Sequence, residues 1–397
     1  MKRFPTKPLG ELVNFIGGGT PSRDRPDYWG GEIPWASVKD LQSQSLRTTL
    51  ESITPKGLAN SASNLIPKGT VIIASRVGLG KVAINLKPVA INQDLKALTP
   101  RNNNLSPRYL LLFLLSKAEY FEQAGVGATV KGLTIADYQN LKVHVPPLAE
   151  QEKIVKLLDE ADELRKLRAQ ADRRTADLIP ALFHDMFGDL AINPYGWPVE
   201  SVGTLFDAER DGAKCGPFGS ALKKYEYVES GVPVWGIPNV QPNQFVEAGS
   251  LFITPSKFEE LRAYSVEPGD LLFSRAGTVG RICVARPSVT NSIIGTNLIR
   301  VSLDQERVVS EFFATLMTLL SMEAGRFRAN ADEGSYSFMN TTVLKSLRIY
   351  LPPFSLQKEF AARVAEIRAM EAQQAASRRS LDELFHSLLH HAFQDDL

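Results

Sequence analysis

The chain has 397 residues, 44% hydrophobic and 22% charged, with a net charge of +1, the make-up of a soluble globular protein with room for two or three cores. The start, MKRFPTKPLG, holds no apolar signal core and no window is apolar for long enough to cross a bilayer, so a cytoplasmic protein without membrane contact is expected. Two cysteines, Cys215 and Cys283, are too few for a disulfide framework and lack C-x-x-C spacing, and both are expected to be buried thiols.

The near-zero net charge hides an imbalance. Residues 1–147 carry eighteen Lys and Arg against ten Asp and Glu, whereas residues 190–353 carry fifteen against seventeen. An excess of eight positive charges on the first part suits a phosphate backbone or another acidic partner.

In chain order, RFPTKPLGEL opens the sequence and a glycine-rich loop follows, GGGTPSRDRPDYWGG over 17–31, with Arg23, Arg25, Tyr28 and Trp29. IPWASVKDL (33–41) and IPKGTVIIASRVGLGKVAI (66–84) read as short strands between turns. A helix is predicted over 105–123, begun by Ser-Pro. LKVHVPPL then closes the segment, and a long helix is predicted from Leu148 to Phe183, its apolar stripe running through Leu157, Ala161, Leu164, Ala171, Leu178 and Leu182. Pro180 is expected to kink or end it.

The same order then recurs. GWPVESVGTL repeats the opening at an offset of 193, PVWGIPNV matches around Trp235 at 200, and VEPGDLLFSRAGTVGRICV matches the hairpin near 200. A helix over 309–327 follows, LRIYLPPF closes the copy at an offset of 206, and a second long helix runs from Gln357 with Phe360, Val364, Ile367, Leu381, Phe385 and Leu388 in its stripe. So slow a drift means two copies of one domain. The expected architecture is mixed α/β: two similar globular domains separated by two long antiparallel coiled-coil helices in pseudo-twofold symmetry, with boundaries 1–147, 148–189, 190–353 and 354–397.

Catalytic patterns fail one by one. His386-x-x-x-His390 lacks a third ligand and sits in the last helical turns, which suit histidine anyway. SRVGLGK lacks the first glycine and final hydroxyl of a P-loop and leads into strand, not helix. Val145-Pro146-Pro147-Leu148 and Leu351-Pro352-Pro353-Phe354 lack the polar first residue of the amino-methyltransferase tetrad. No catalytic or metal residue is assigned, and no cofactor is expected on this chain. What remains suits binding: glycines that let backbone amides approach phosphates, cations in both copies (Arg23 and Arg25; Lys214, Lys223 and Lys224), and small polar groups that reach base edges.

GGGTPSRDRPDYWGGEIPWASVKDL, SRAGTVG, GPFGSALKK and the twice-used apolar-Pro-Pro-x-x-x-Gln entry to a long helix together resemble the specificity subunit of type I restriction-modification enzymes. The resemblance covers essentially the whole chain. It implies a non-catalytic subunit that binds double-stranded DNA, two methyltransferase subunits that use S-adenosylmethionine, and two restriction/translocase subunits in the full complex. The helix-entry motif falls on Pro146, Pro147 and Gln151 and on Pro352, Pro353 and Gln357, a joint that partner subunits could grip. The Ser-Arg-x-Gly turn falls on Ser75, Arg76 and Gly78, closed by Lys81, and on Ser274, Arg275 and Gly277, closed by Arg281. The first turn reads one residue short, leaving no clear counterpart of Thr278. Lys39, Lys131, Asn239 and Tyr336 complete the candidate DNA contacts. The alternative is a scaffold with two protein-binding domains on a coiled-coil spacer.

Overall fold

The computed structural model describes residues 4–124, 133–189, 192–219, 221–275, 281–324 and 341–393. They form two compact units, Met1–Gln170 with Ala375–Leu397, and Ala171–Gln374. Each unit therefore holds one globular repeat and a piece of both long helices.

In unit 1, five strands stand in the order Val13–Gly17, Leu95–Pro100, Val71–Ala74, Val82–Asn85 and Ser45–Leu46. A second sheet runs Glu51–Ile53, Trp29–Ala36, Val89–Ile91 and Asn64–Ile66. VIIA at 71–74 is buried at all four positions, as a continuous apolar run between turns requires of a central strand. The helix Pro107–Ser116 lies behind, with Tyr109 to Leu114 buried without a break. Unit 2 repeats the plan: Ala213–Cys215, Leu298–Val301, Leu271–Ser274 and Ile282–Val284 form one sheet, Leu251–Ile253, Val232–Trp235 and Ile293–Ile294 another, and the helix Ser310–Ala324 follows.

The opening and closing motifs of each copy meet as strands. Thr6–Pro8 pairs antiparallel with Lys142–His144, and Val199–Ser201 with Arg348–Tyr350. The prolines that follow cannot extend the ladder, and a long helix starts directly after them, at Leu148 and Phe354. In both copies the first proline is buried (Pro146, Pro352) and the second exposed (Pro147, Pro353).

The motif glutamines are fully enclosed, at 0% exposure. Gln151 accepts a hydrogen bond from the Ser106 N–H (2.9 Å) and donates to the Asn104 and Pro146 carbonyls (2.7 and 2.9 Å). Gln357 accepts from Val309 N–H (3.0 Å) and donates to the Pro352 carbonyl (2.8 Å). Ser106 caps its helix without a side-chain bond, so the glutamine of the long helix serves an N–H group there. The glutamine side chains thus bond inside the joint that partner subunits were expected to grip.

The first long helix spans Leu148–Ala176 and a second segment spans Leu178–Phe187. The break comes just ahead of Pro180, whose ring would otherwise meet the carbonyl of Ala176. In unit 1 the expected stripe holds at Ala161, which is buried, but not at its leucines: Leu157 and Leu164 are each 51% exposed, and Leu158 is buried in their place. The packed face also carries a polar contact: Arg165 donates to Asp382 (2.6 Å) and lies 4.5 Å above Phe385. The second long helix, Phe354–Phe393, buries Phe360, Val364, Phe385, Leu389 and Phe393. In unit 1 the Phe393 ring packs 5.0 Å from Tyr109 and 5.9 Å from Phe113. In unit 2 Phe360 meets Phe183 and Phe187 at 5.4 and 5.3 Å.

Of the two thiols only Cys283 is buried, and burial pushes its pKa up to about 12, so it stays protonated at neutral pH; Cys215 is half-buried. Among the described residues no helix is long and apolar enough to cross a membrane.

Replacing Gln357 with Leu strands the Val309 N–H and should cost about 1–3 kcal/mol. Gln357→Glu, which sets a carboxylate against the Pro352 carbonyl, should cost more. Urea unfolding followed in unit 2 checks both. The neighbouring Lys358 is exposed, so Lys358→Ala serves as the control and should stay within about 0.5 kcal/mol of wild type.

Candidate nucleic-acid interface

In unit 1 the chain leaves the edge strand through Gly17-Gly18-Gly19. A Cβ on Gly18 would lie 2.1 Å from the Ile91 carbonyl oxygen, so the backbone can run this close to the neighbouring strand only with glycine there. Thr20 follows, exposed, its hydroxyl bonded to the Gln93 side chain. Arg23 stacks 3.7 Å above Trp29 and 5.6 Å from Trp35, and its Nη2 donates to Glu51 (2.9 Å). Arg25 donates through Nε and Nη2 to Asp27, both at 3.0 Å, and Lys56 reaches the same carboxylate. The arginine and lysine hold the Asp27 carboxyl well below the usual range. Both arginines of the glycine-rich loop are therefore already matched by acids.

The next loops meet at one end of the five-stranded sheet. Gly78 has φ of +74°, and a Cβ there would stand 2.8 Å from Val38 Cγ1, so the hairpin turn packs on the short Val38–Asp40 helix that carries exposed Lys39. Lys39, Gln42, Ser43, Ser45, Arg47 and Thr48 line a polar cleft of about 330 Å³. Arg76 is 60% exposed, 3.8 Å from Asp94. Lys81 is exposed, and Ser75, 5% exposed, donates to the Asp94 carbonyl (3.1 Å). Lys96, which no sequence motif marked, belongs here: burial lowers its pKa first, and the nearby Arg76 lowers it further. Its position in an apolar strand, LKALTP, was the available signal.

Unit 2 uses the same positions differently. Lys214 is tied to Asp211 (2.8 Å) and lies 5.4 Å from the Tyr264 ring. Lys223 and Lys224 are exposed around the short helix Lys224–Glu226, with Lys223 above Tyr225. Asn239 is 1% exposed: its side chain accepts from Gly236 N–H and donates to the Val246 and Ala248 carbonyls. It holds a loop, as Asp40 does in unit 1 through Ser37 and Leu50, and its amide is turned away from any ligand. Ser274 is also enclosed, accepting from Arg281 N–H (3.1 Å). Arg281 reaches Gln241 (3.3 Å), and Arg275 lies 4.7 Å above Phe218. Lys131, Gly277, Thr278 and Tyr336 lie outside the described residues.

Strand register corrects the match between the two turns. Val71 stands between Leu98 and Ile84 as Leu271 stands between Val301 and Val284, and Ile73 faces Val82 as Phe273 faces Ile282. The two turns are therefore equal in length, and Ser75 shares its place with Arg275. Their N–H groups bond the carbonyls of Asp94 (2.8 Å) and Asn297 (3.0 Å). Aligning the letters Ser-Arg had slipped the register by one, which on a strand exchanges the two faces.

Comparison with known proteins bears on what these ends do. Residues 1–172 match the family described as the type I restriction modification DNA specificity domain. The specificity domain so defined covers the first repeat and most of the first long helix. The chain is similar to the MjaIX specificity subunit of Methanocaldococcus jannaschii (27% identity; 52% of each chain) and to the EcoR124I/EcoR124II specificity subunit of Escherichia coli (33%; 40% of this chain and 41% of the other). It thus spans about half the length of these two relatives. A longer match, at 23% identity, covers 99% of this chain and 89% of the StySPI specificity subunit of Salmonella potsdam. The fold is similar to that of an S subunit of a type I restriction-modification system from M. genitalium (TM-score 0.56, 17% identity, 99% and 97% covered). It is also similar to a chain from a study of assembly and conformational transition in a type I system (0.65, 20%, all of both chains).

Gly216 sits where Gly18 does, and a Cβ on it would lie 2.0 Å from the Gly295 carbonyl oxygen. Gly216→Ala should cost about 2 kcal/mol by forcing the strands apart, whereas Thr20→Ala on the exposed side should stay within about 0.5 kcal/mol. Thermal melts of both variants check the ranking.

Proposed function

We propose that this chain is the DNA-reading subunit of a type I restriction-modification system. Each unit reads one half of a bipartite duplex target, and the halves differ in sequence. The subunit carries no catalysis itself. It positions two methyltransferase subunits, which bring S-adenosylmethionine, and in the full complex two restriction/translocase subunits join.

The observation that carries this reading is the matched sheet end. Both units build it from the same strands, and both gather cations and small polar groups there, but the residue types differ: Lys39, Arg76, Lys81 and Lys96 in unit 1, Arg275 and Arg281 with Phe218 in unit 2. A common frame with changed side chains is what two different half-sites require. The antiparallel long helices fit a spacer that sets the gap between half-sites, and the exposed Leu157, Leu164 and Leu167 on the first of them fit a methyltransferase contact.

Salt separates this reading from the protein scaffold. Each phosphate neutralised contributes a slope of about −0.9 in log K against log salt, so the four cations of unit 1 alone give about −3.6. Duplex binding by the chain with its methyltransferase subunits should therefore weaken about a hundredfold between about 50 and 200 mM salt. Affinity that hardly changes with salt would favour the scaffold.

A further inference from the structure

We propose that Arg275, stacked on Phe218, selects a guanine in the half-site read by unit 2. This rests on the DNA-reading role proposed above and names the residue pair that supplies one of its base choices.

Register fixes where the pair sits. Cys215 faces Ile299 as Gly17 faces Lys96, so Phe218 occupies the place of Thr20, three residues past the edge strand. Arg275 occupies the place of Ser75. In unit 1 these two positions hold small hydroxyl side chains, one bonded to Gln93 and the other to a backbone carbonyl. In unit 2 they hold a phenyl ring and a guanidinium 4.7 Å from it. The two positions differ between the copies although the strands that carry them keep their pairing.

Three observations point outward to a ligand. Phe218 is 51% exposed, far more than a ring of this size needs for packing alone. Nη1 of Arg275 is enclosed and has no hydrogen-bond acceptor. Among the described residues no carboxylate pairs with Arg275, and Asn297 stands where unit 1 has Asp94. An enclosed guanidinium nitrogen without an acceptor is costly in the free protein, and a shift of the side chain toward a ligand's acceptor removes that cost.

The chemistry selects a base edge over a phosphate. A phosphate accepts a cation from many directions, as Lys39 and Lys81 can supply. A guanidinium held 4.7 Å over the Phe218 ring is instead restricted in place, and its planar donor fork matches the coplanar N7 and O6 acceptors that guanine alone presents in the major groove.

The test uses the whole chain with its methyltransferase subunits and a duplex library randomised in both half-sites, selected by wild type, Arg275→Ala, Arg275→Lys and Phe218→Leu. The expected result is loss of preference for guanine, by about tenfold to a hundredfold, at one position of one half-site. Arg275→Ala and Arg275→Lys lose it alike, Phe218→Leu loses part of it, and the other half-site and the melting temperatures stay unchanged. Uniform weakening across all sequences, with the consensus kept, would make Arg275 a phosphate contact and overturn the proposal. An unchanged consensus in every variant would overturn it as well. A wild-type complex that selects no sequence would overturn the DNA-reading role itself, a failure distinct from that of Arg275 alone.

Discussion

A single buried amide at each helix entry governs how a repeat can present anything. Gln151 and Gln357 each take an N–H at the start of the domain's own helix and return hydrogen bonds to carbonyls of the strand-to-helix turn. Because the side chain is fully enclosed, no water can replace these bonds, and the long helix must leave the domain in one register. Glutamine suits the place because it offers an acceptor and two donors without a charge. The joint thus converts a flexible Pro-Pro turn into a fixed one, and whatever the sheet end grips is held in a set relation to the start of the helix that follows.

The opposite end of each repeat is built to vary. Close strand approach at Gly18 and Gly216 and the central strands at 71–74 and 271–274 set the frame. The side chains that project from it share little chemistry between copies. Unit 1 holds a group of cations balanced in part by Asp94, whereas unit 2 places an arginine against an exposed ring. The two copies thus share a frame and a core while the side chains at its tips differ.

Much of this was legible in the sequence. Repeats at slowly drifting offsets gave the duplicated α/β domain, the Pro-Pro-x-x-x-Gln motif marked where each last strand ends, and Pro180 marked a helix break. Other features were hidden, each for a physical reason. On the first long helix Ala161 is buried as its stripe requires, but Leu157 and Leu164 lie exposed while the packed face carries Arg165 with its bond to Asp382, a charged contact that apolar periodicity cannot register. The Ser-Arg alignment slipped because identical letters fall at different pairing positions, and only the ladder assigns those. Asn239 was a candidate DNA contact, but its bonds to the Val246 and Ala248 carbonyls are made only when the loop closes in the fold. Lys96 was missed because a lysine inside an apolar strand reads as an incidental surface residue until Arg76 and Asp94 are seen beside it.

The central claim is that the two repeats are independent readers on one frame. The most direct measurement is to replace residues 1–147 with the corresponding repeat of another specificity subunit, express the chimera with the methyltransferase subunits, and map methylated sites across a genome. The account predicts that one half-site changes while the other half-site and the gap stay as they were. A change in both half-sites together would contradict it.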